Sequence, residues 1–461
     1  MTDKEFSQAL HRGLGSAILE LKNNANKSEY HDIILRCCLR NISYDQQSEG
    51  TRGYYLYNAI LTTGKPEFFE DFIIDKFLSH CNYGLLCQLA SILYGYAYDE
   101  SNRAKDALHA KYRYFAAKKG RFIQRPPIYE GWQWDEVAYR LSCIDGFAVF
   151  EQFATDIGKL RQKSPDNRKV FDPWYIHRAE DLFSKKRIDI FFKSTYEKSD
   201  AIKALVDSIK TDELSDEQGR EQTKQGDITA LALMQAAIEA ATNNHPLYQM
   251  HRNLEKIGLH YSFSFVRQAS DAEILKLANF ILRDQNETVK ALLLNSFHHS
   301  KPYPLEITPL IEYAQSDSVL LAESAIRCLE KFKDRRLHDL AMHLLKTKGL
   351  KSFALALLIK NYKKSDDAII TGIIKKSTNI PHHVQQNIRD IYDSHRSTHA
   401  LPLLLCVYRK GECSFCRKGI VEAMNHCGVL TDEILEECQF DSDAKIRQYA
   451  KKHLARRQRN K

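Results

Sequence analysis

Two of the three tryptophans of this chain stand beside carboxylates. In PIYEGWQWDEVAYRL, Pro127 to Leu141, Trp132 and Trp134 neighbour Glu130, Asp135 and Glu136. An indole can stack on a base flipped out of its helix while a carboxylate stabilises an oxocarbenium-like sugar. Paired carboxylates beside tryptophan could therefore make a base-excision site. The same residues also suit a loop running into a helix N-terminus, where Asp135 and Glu136 favour the helix dipole and the indoles pack a core.

A second group is cationic. From Asp99 to Arg125 the chain carries Arg103, Lys105, Lys111, Arg113, Lys118, Lys119, Arg121 and Arg125 against Asp99, Glu100 and Asp106. Tyr112, Tyr114, Phe115 and Phe122 are interleaved with them. Arg103, Lys111, Arg113, Lys118, Lys119 and Arg121 thus form a candidate phosphate-contacting surface with stacking rings. A solvated helix face backed by an aromatic core has the same composition. The ending KKHLARRQRNK is another cationic cluster, which equally suits a polar cap.

Cys413-Ser414-Phe415-Cys416 is a CxxC with Cys406, His426 and Cys427 nearby in sequence. Tetrahedral zinc needs four convergent ligands, and one CxxC supplies two, so Cys413 and Cys416 are weak metal candidates. One helical turn of spacing also places both on a buried stripe. The pairs His298-His299 and His382-His383 have no carboxylate at metal-ligand spacing and read as turn or surface residues. The sequence has no GxxxxGK[ST], no GxGxxG between a strand and a helix, no HExxH and no GxSxG. Nucleotide hydrolysis and the commonest hydrolytic sites are disfavoured, and no cofactor is expected.

The elements that must position these groups are helical. With 461 residues, 43% hydrophobic, 19 Gly and 11 Pro, the composition is that of a folded chain with few turns. Helices of matching pattern are expected from Ile274, Leu305, Leu337, Ala368, Ala400 and Ile434, at spacings of 31, 32, 31, 32 and 34 residues. A second apolar-periodic helix follows most of them. In VLLAESAIRCLEKF, Val319, Ala322, Ala325, Ile326 and Leu329 share one stripe, with Glu323, Arg327, Glu330 and Lys331 facing away. Pairs this short cannot bury their own apolar faces, so they must stack on their neighbours.

The last unit, DSDAKIRQYAKKHL, resembles the HEAT-repeat pattern, with Asp441, Ile446, Arg447 and Ala450 in the places of its turn Asp, aliphatic residue, Arg and Ala. The resemblance implies an all-α fold, an α-solenoid of stacked antiparallel helix pairs, with Asp441 as an N-cap. It implies no activity. HEAT-like DNA glycosylases of the AlkD type show by analogy that such a scaffold can host a base-excision site, and by that resemblance Trp132, Trp134 and Asp135 are its candidate residues.

Residues 1–210 read as a less regular helical domain, 211–226 as a polar linker and 227–461 as the repeat stack. Amphipathic stretches in the first part run near Phe6 to Leu21, Tyr30 to Arg40, Gly53 to Leu61, Phe68 to Phe77, Tyr83 to Tyr98, Ala104 to Ala117, Trp134 to Lys159 and Ile176 to Phe192. YDQQSEGTRGYYL (Tyr44 to Leu56), PIYEGWQWDEVAYRL (Pro127 to Leu141), DPWYIHRAEDLF with Trp174 and His177, and the later ECSFCRKGIVEAM are distinctive. They look like parts of an uncharacterised group of bacterial HEAT-repeat proteins.

Sixty-seven basic against 59 acidic residues give a net charge of +8, common among proteins that touch no nucleic acid. Eleven scattered cysteines and a polar start predict a cytoplasmic protein, and no apolar run spans a bilayer. The expected function is a non-enzymatic α-solenoid scaffold binding a protein or peptide partner along its concave face, with a nucleic-acid-binding solenoid as the alternative and a DNA glycosylase third.

Overall fold

The computed structural model describes residues 1–79, 81–117, 129–163, 174–210, 229–256, 262–297, 301–347 and 350–459. The expected linker, residues 211–226, falls outside them, as do Lys118, Lys119, Arg121, Arg125, His298 and His299. Among the described residues every regular element is helical, with one isolated parallel bridge between Ile380 and Gly411. The chain forms two compact units. One comprises Met1–Ser215 with Glu412–Lys418 and Thr431–Lys461, the other Asp216–Gly411 with Gly419–Leu430.

In the first unit the helices appear where apolar residues recur at helical spacing, but three long stretches are broken. Phe6 to Leu21 divides at Gly13 into Asp3–Arg12 and Gly15–Asn23. Trp134 to Lys159 belongs to two helices, Tyr129–Asp145 and Phe147–Lys163, separated by Gly146 at φ +77. Ile176 to Phe192 divides into Trp174–Phe183 and Lys185–Thr195 at Ser184, also at positive φ. A single left-handed residue redirects the chain without interrupting the apolar pattern, so periodicity alone does not reveal the break.

The helix Tyr83–Tyr98 is the centre of this unit. Its sequence is apolar on all sides, and Leu85, Leu86, Leu89, Ile92 and Leu93 are all buried. It packs against Gly53–Thr63, Asn102–Ala117 and Tyr129–Asp145. Its one long polar side chain, Gln88, is sealed and donates to the carbonyls of Cys37 (3.0 Å), Cys38 (3.0 Å) and Arg40 (2.6 Å). Those carbonyls end the helix His31–Cys38, so a buried amide satisfies acceptors that a helix terminus leaves open.

The expected repeat register assigns residues beyond Thr431 to the repeat stack, yet they pack within the first unit. Asp432–Cys438 lies against Gly15–Asn23, and the Ser442 amide donates to the Gly13 carbonyl at 2.9 Å. Gly13 has φ +74, and a Cβ there would lie 2.2 Å from Ser442 Oγ; at Gly15 it would lie 1.8 Å from the Glu437 carbonyl oxygen. Two backbones meet at a distance only glycine permits.

The second unit alternates helices as the register anticipates. Asp271–Arg283 and Glu287–Leu294 are followed by Thr308–Tyr313 and Val319–Leu329, then Arg335–Leu344 and Lys351–Asn361, then Asp367–Lys376 and His382–His395. Side chains of Ser270, Asn286, Ser318 and Asp334 cap four of them. The helix expected from Leu305 begins at Thr308, with Pro309 in its first turn, where a missing N–H costs nothing. The second helices pack in succession, Glu287–Leu294 on Val319–Leu329, that on Lys351–Asn361, and that on His382–His395. Ala322, Ala325, Ile326 and Leu329 are buried as expected; Val319, the first residue after the Ser318 cap, is exposed.

Candidate functional site

Trp132, Trp134 and Asp135 occupy the interior of a helix that begins at Tyr129, not a loop at its start. Asp135 and Glu136 therefore lie two turns in, beyond the reach of the N-terminal dipole. Another helix supplies their counter-charge. Arg178 Nη1 lies 2.9 Å from Glu136 Oε2 and 3.6 Å from Asp135 Oδ2, while Arg140 Nε donates to Glu136 Oε1 at 2.7 Å. The Arg178 guanidinium rests 3.9 Å from the Tyr139 ring. Burial opposes the Arg178 charge, but Glu136 and Asp135 outweigh it and hold its pKa above the usual value.

Trp134 is 3% exposed and packs edge-on to Phe153 (5.0 Å) and beside Tyr112 (5.8 Å). A base could stack on it only by displacing core rings. Trp132 is half-buried, 5.7 Å from Tyr83. The carboxylate pair is thus held in an ion network of the core, and the side chain of Glu130 lies outside the described residues.

The cationic stretch is dispersed. Lys111 is buried and donates to the carbonyls of Ser79 (2.8 Å) and Leu78 (3.3 Å), with its Nζ 5.3 Å from the Tyr114 ring. It caps the C-terminus of the helix Glu67–Leu78. Arg103 pairs with Asp71 and lies 3.9 Å from Glu70. Arg113 is exposed.

Two distinctive segments, remote in sequence, meet in one buried polar junction of the first unit. Arg52 donates to Glu49 (2.8 Å), to the Glu412 carbonyl (2.6 Å) and to the His11 carbonyl. Glu49 accepts from the Ser414 amide (3.0 Å) and hydroxyl (2.6 Å). Burial raises the Glu49 pKa, but Arg52 and the Ser414 hydroxyl lower it more, and the net value falls below that of an ordinary carboxyl. Arg417 closes a two-pronged pair with Asp441 at 2.7 and 3.1 Å, both side chains fully buried, and reaches the Gly13 carbonyl at 3.3 Å. Asp441 therefore holds Arg417; the cap of the helix Ala444–Arg459 is Asp443, which accepts from the amides of Lys445 (2.7 Å) and Ile446 (3.1 Å). Cys413 and Cys416 flank these contacts, both buried, with the Cys416 amide 3.4 Å from Cys413 Sγ.

Sequence reasoning missed Arg178, Arg417 and, in the second unit, a buried His338–Asp366 pair (3.1 Å) with Lys363 Nζ 3.0 Å from the other ring nitrogen. The charged character of Arg417 inside an otherwise apolar helix stripe was the one available signal. His383 stacks on Phe353 at 5.3 Å, as a packing residue does. Where Ala230–Ala241 turns into Pro246–Lys256, a cleft of about 540 Å³ is lined by Glu239, Thr242, Asn243, Asn244, Gln249 and Asn253.

An apolar ridge is open to solvent on Glu67–Leu78. Phe69, Ile73 and Phe77 fill its buried stripe, which leaves Phe68 (40% exposed) and Phe72 (48%) one turn apart on the outside, rings 5.9 Å from each other. His31 packs against Phe68 at 4.9 Å and Phe69 at 5.2 Å; burial and then Lys65 lower its pKa, which favours the neutral ring. Exposed Lys65, Glu67, Asp71 and Asp75 surround the two rings in sequence. Comparison with known protein families, with characterised proteins and with solved structures finds no match for this chain.

Proposed function

We propose that the chain is a non-catalytic helical scaffold that binds a protein or peptide partner in the cytoplasm, its residues 271–395 stacked as HEAT-like repeats. The observation that carries the reading is the Phe68–Phe72 ridge, an apolar centre with charged neighbours. Exposed aromatic side chains fixed by a rigid helix lose little entropy on docking and dominate interface energetics. The carboxylates and arginines that suggest chemistry in the sequence hold one another in the interior, which suits a scaffold. Support for the stacking comes from the succession of second helices, each packed on the next.

The test places a photo-reactive benzoyl-phenylalanine at position 72 of the full chain in cells. A discrete adduct is expected, and the partner identified in it, once purified, binds the wild-type chain at least about tenfold more tightly than Phe68→Ala. No adduct, or equal affinity for both proteins, overturns the reading.

A further inference from the structure

The helix Ala444–Arg459 contains seven Lys and Arg residues and no acidic one. Two of them are engaged within the first unit: Arg447 donates to the Asp441 (2.7 Å) and Ser442 (2.9 Å) carbonyls, and Arg457 lies 2.5 Å from Asp432. Lys445, Lys451, Lys452, Arg456 and Arg459 are exposed and form no ion pair among the described residues. At about 100° per residue, Lys445, Lys452, Arg456 and Arg459 fall within an arc of roughly 60° and span about 21 Å of helix. Ile446 and Ala450, both fully buried, anchor another face of the helix, so the stripe points away from the core. Burial, then Arg456, Arg457 and Lys452, lower the His453 pKa.

We propose that this stripe is a binding surface for the phosphate backbone of duplex DNA. A straight row of four cations over about 21 Å can meet phosphates of a duplex, and two of its four members are arginines, whose planar fork matches phosphate oxygens. The other polyanions fit less well. Insertion into an anionic membrane needs large apolar side chains on the exposed face, and the stripe has none. Single strands need open stacking platforms, whereas the helix's own rings, Tyr449 and His453, are half-buried and stacked on each other at 4.2 Å, and exposed Tyr54 lies by Arg447, on a different face from the stripe. The surface is distinct from the Arg103–Arg125 stretch, whose Lys111 and Arg103 are already engaged.

The experiment measures binding of the full chain to a labelled 20-base-pair duplex by fluorescence anisotropy between 50 and 300 mM salt. The wild type is expected to bind with log K falling against log salt at a slope of about −3 to −4, as four phosphate contacts require. Lys452→Gln with Arg456→Gln and Arg459→Gln is expected to weaken binding at least about tenfold and to bring the slope to about −1. Glutamine keeps helix propensity, and a circular dichroism melt superimposable on the wild type confirms folding; the single Arg456→Gln, with a slope reduced by about one, serves if the triple variant melts early. The proposal is overturned by no duplex binding at 50 mM salt, by binding whose slope survives the substitutions, or by tighter binding of single-stranded DNA or polyglutamate than of duplex.

Discussion

Arg417 and Asp441 are both sealed from solvent, and a charge in that position is stable only while its partner is present. Removing one leaves the other desolvated and uncompensated, so Arg417→Ala and Asp441→Ala are each expected to cost about 3–5 kcal/mol in urea unfolding. The pair Arg417→Met with Asp441→Leu is expected to be much less damaging than either single change, because no stranded charge remains. Two further residues set pH dependence. His31 has a folded pKa below its ordinary value of 6.5, so its contribution is complete above that value and is lost as pH falls through the folded pKa. Thermal melts of His31→Phe are expected to lose less stability than the wild type between pH 7 and 5. Glu49, also lowered, contributes above its ordinary 4.5 and loses that contribution as pH falls further. Destabilisation by Glu49→Gln should therefore be largest near pH 7 and shrink in acid.

Among the elements, Glu67–Leu78 depends on a side chain of another helix. Lys111 at its last carbonyls is a buried cap, so Lys111→Met is expected to destabilise by about 1–3 kcal/mol through orphaned carbonyls. Charge reversal at Lys111 consequently tests folding and not nucleic-acid contact. Glycine dependence separates two costs. Gly64→Ala, at φ +76 with open space around it, is expected to cost about 1–2 kcal/mol for the left-handed backbone alone. Gly13→Ala carries the same backbone cost and also collides with Ser442, so its melting temperature should drop further. In the second unit Ala325→Pro removes a helical hydrogen bond in a fully buried turn of Val319–Leu329, with an expected loss of about 3 kcal/mol or more.

For the molecule as a whole, the first unit is assembled from both ends of the sequence. Gly13 and Gly15 meet Ser442 and Glu437, and Arg52 and Glu49 meet Glu412 and Ser414. A fragment of residues 1–210 lacks these partners, and limited proteolysis is expected to cut it within Asp3–Arg12 and Gly15–Asn23, which resist cleavage in the full chain.

The sequence by itself determined that the chain is helical and the alternation of helices from Asp271 to His395, because these follow from local apolar spacing and from caps such as Ser318 and Asp334 that act within one turn; the breaks at Gly13, Gly146 and Ser184 it did not. It also picked out Tyr44 to Leu56 and the ECSFCRKG segment as unusual. Only the tertiary structure decided that these two segments face each other, that Asp441 meets Arg417 while Asp443 caps the helix, and that Asp135 and Glu136 meet Arg178. Only the tertiary structure separated a buried Lys111 from an exposed Lys452. Each of these depends on groups far apart in the chain, and pairing over such distances is set by the packing of whole helices, which no local pattern encodes.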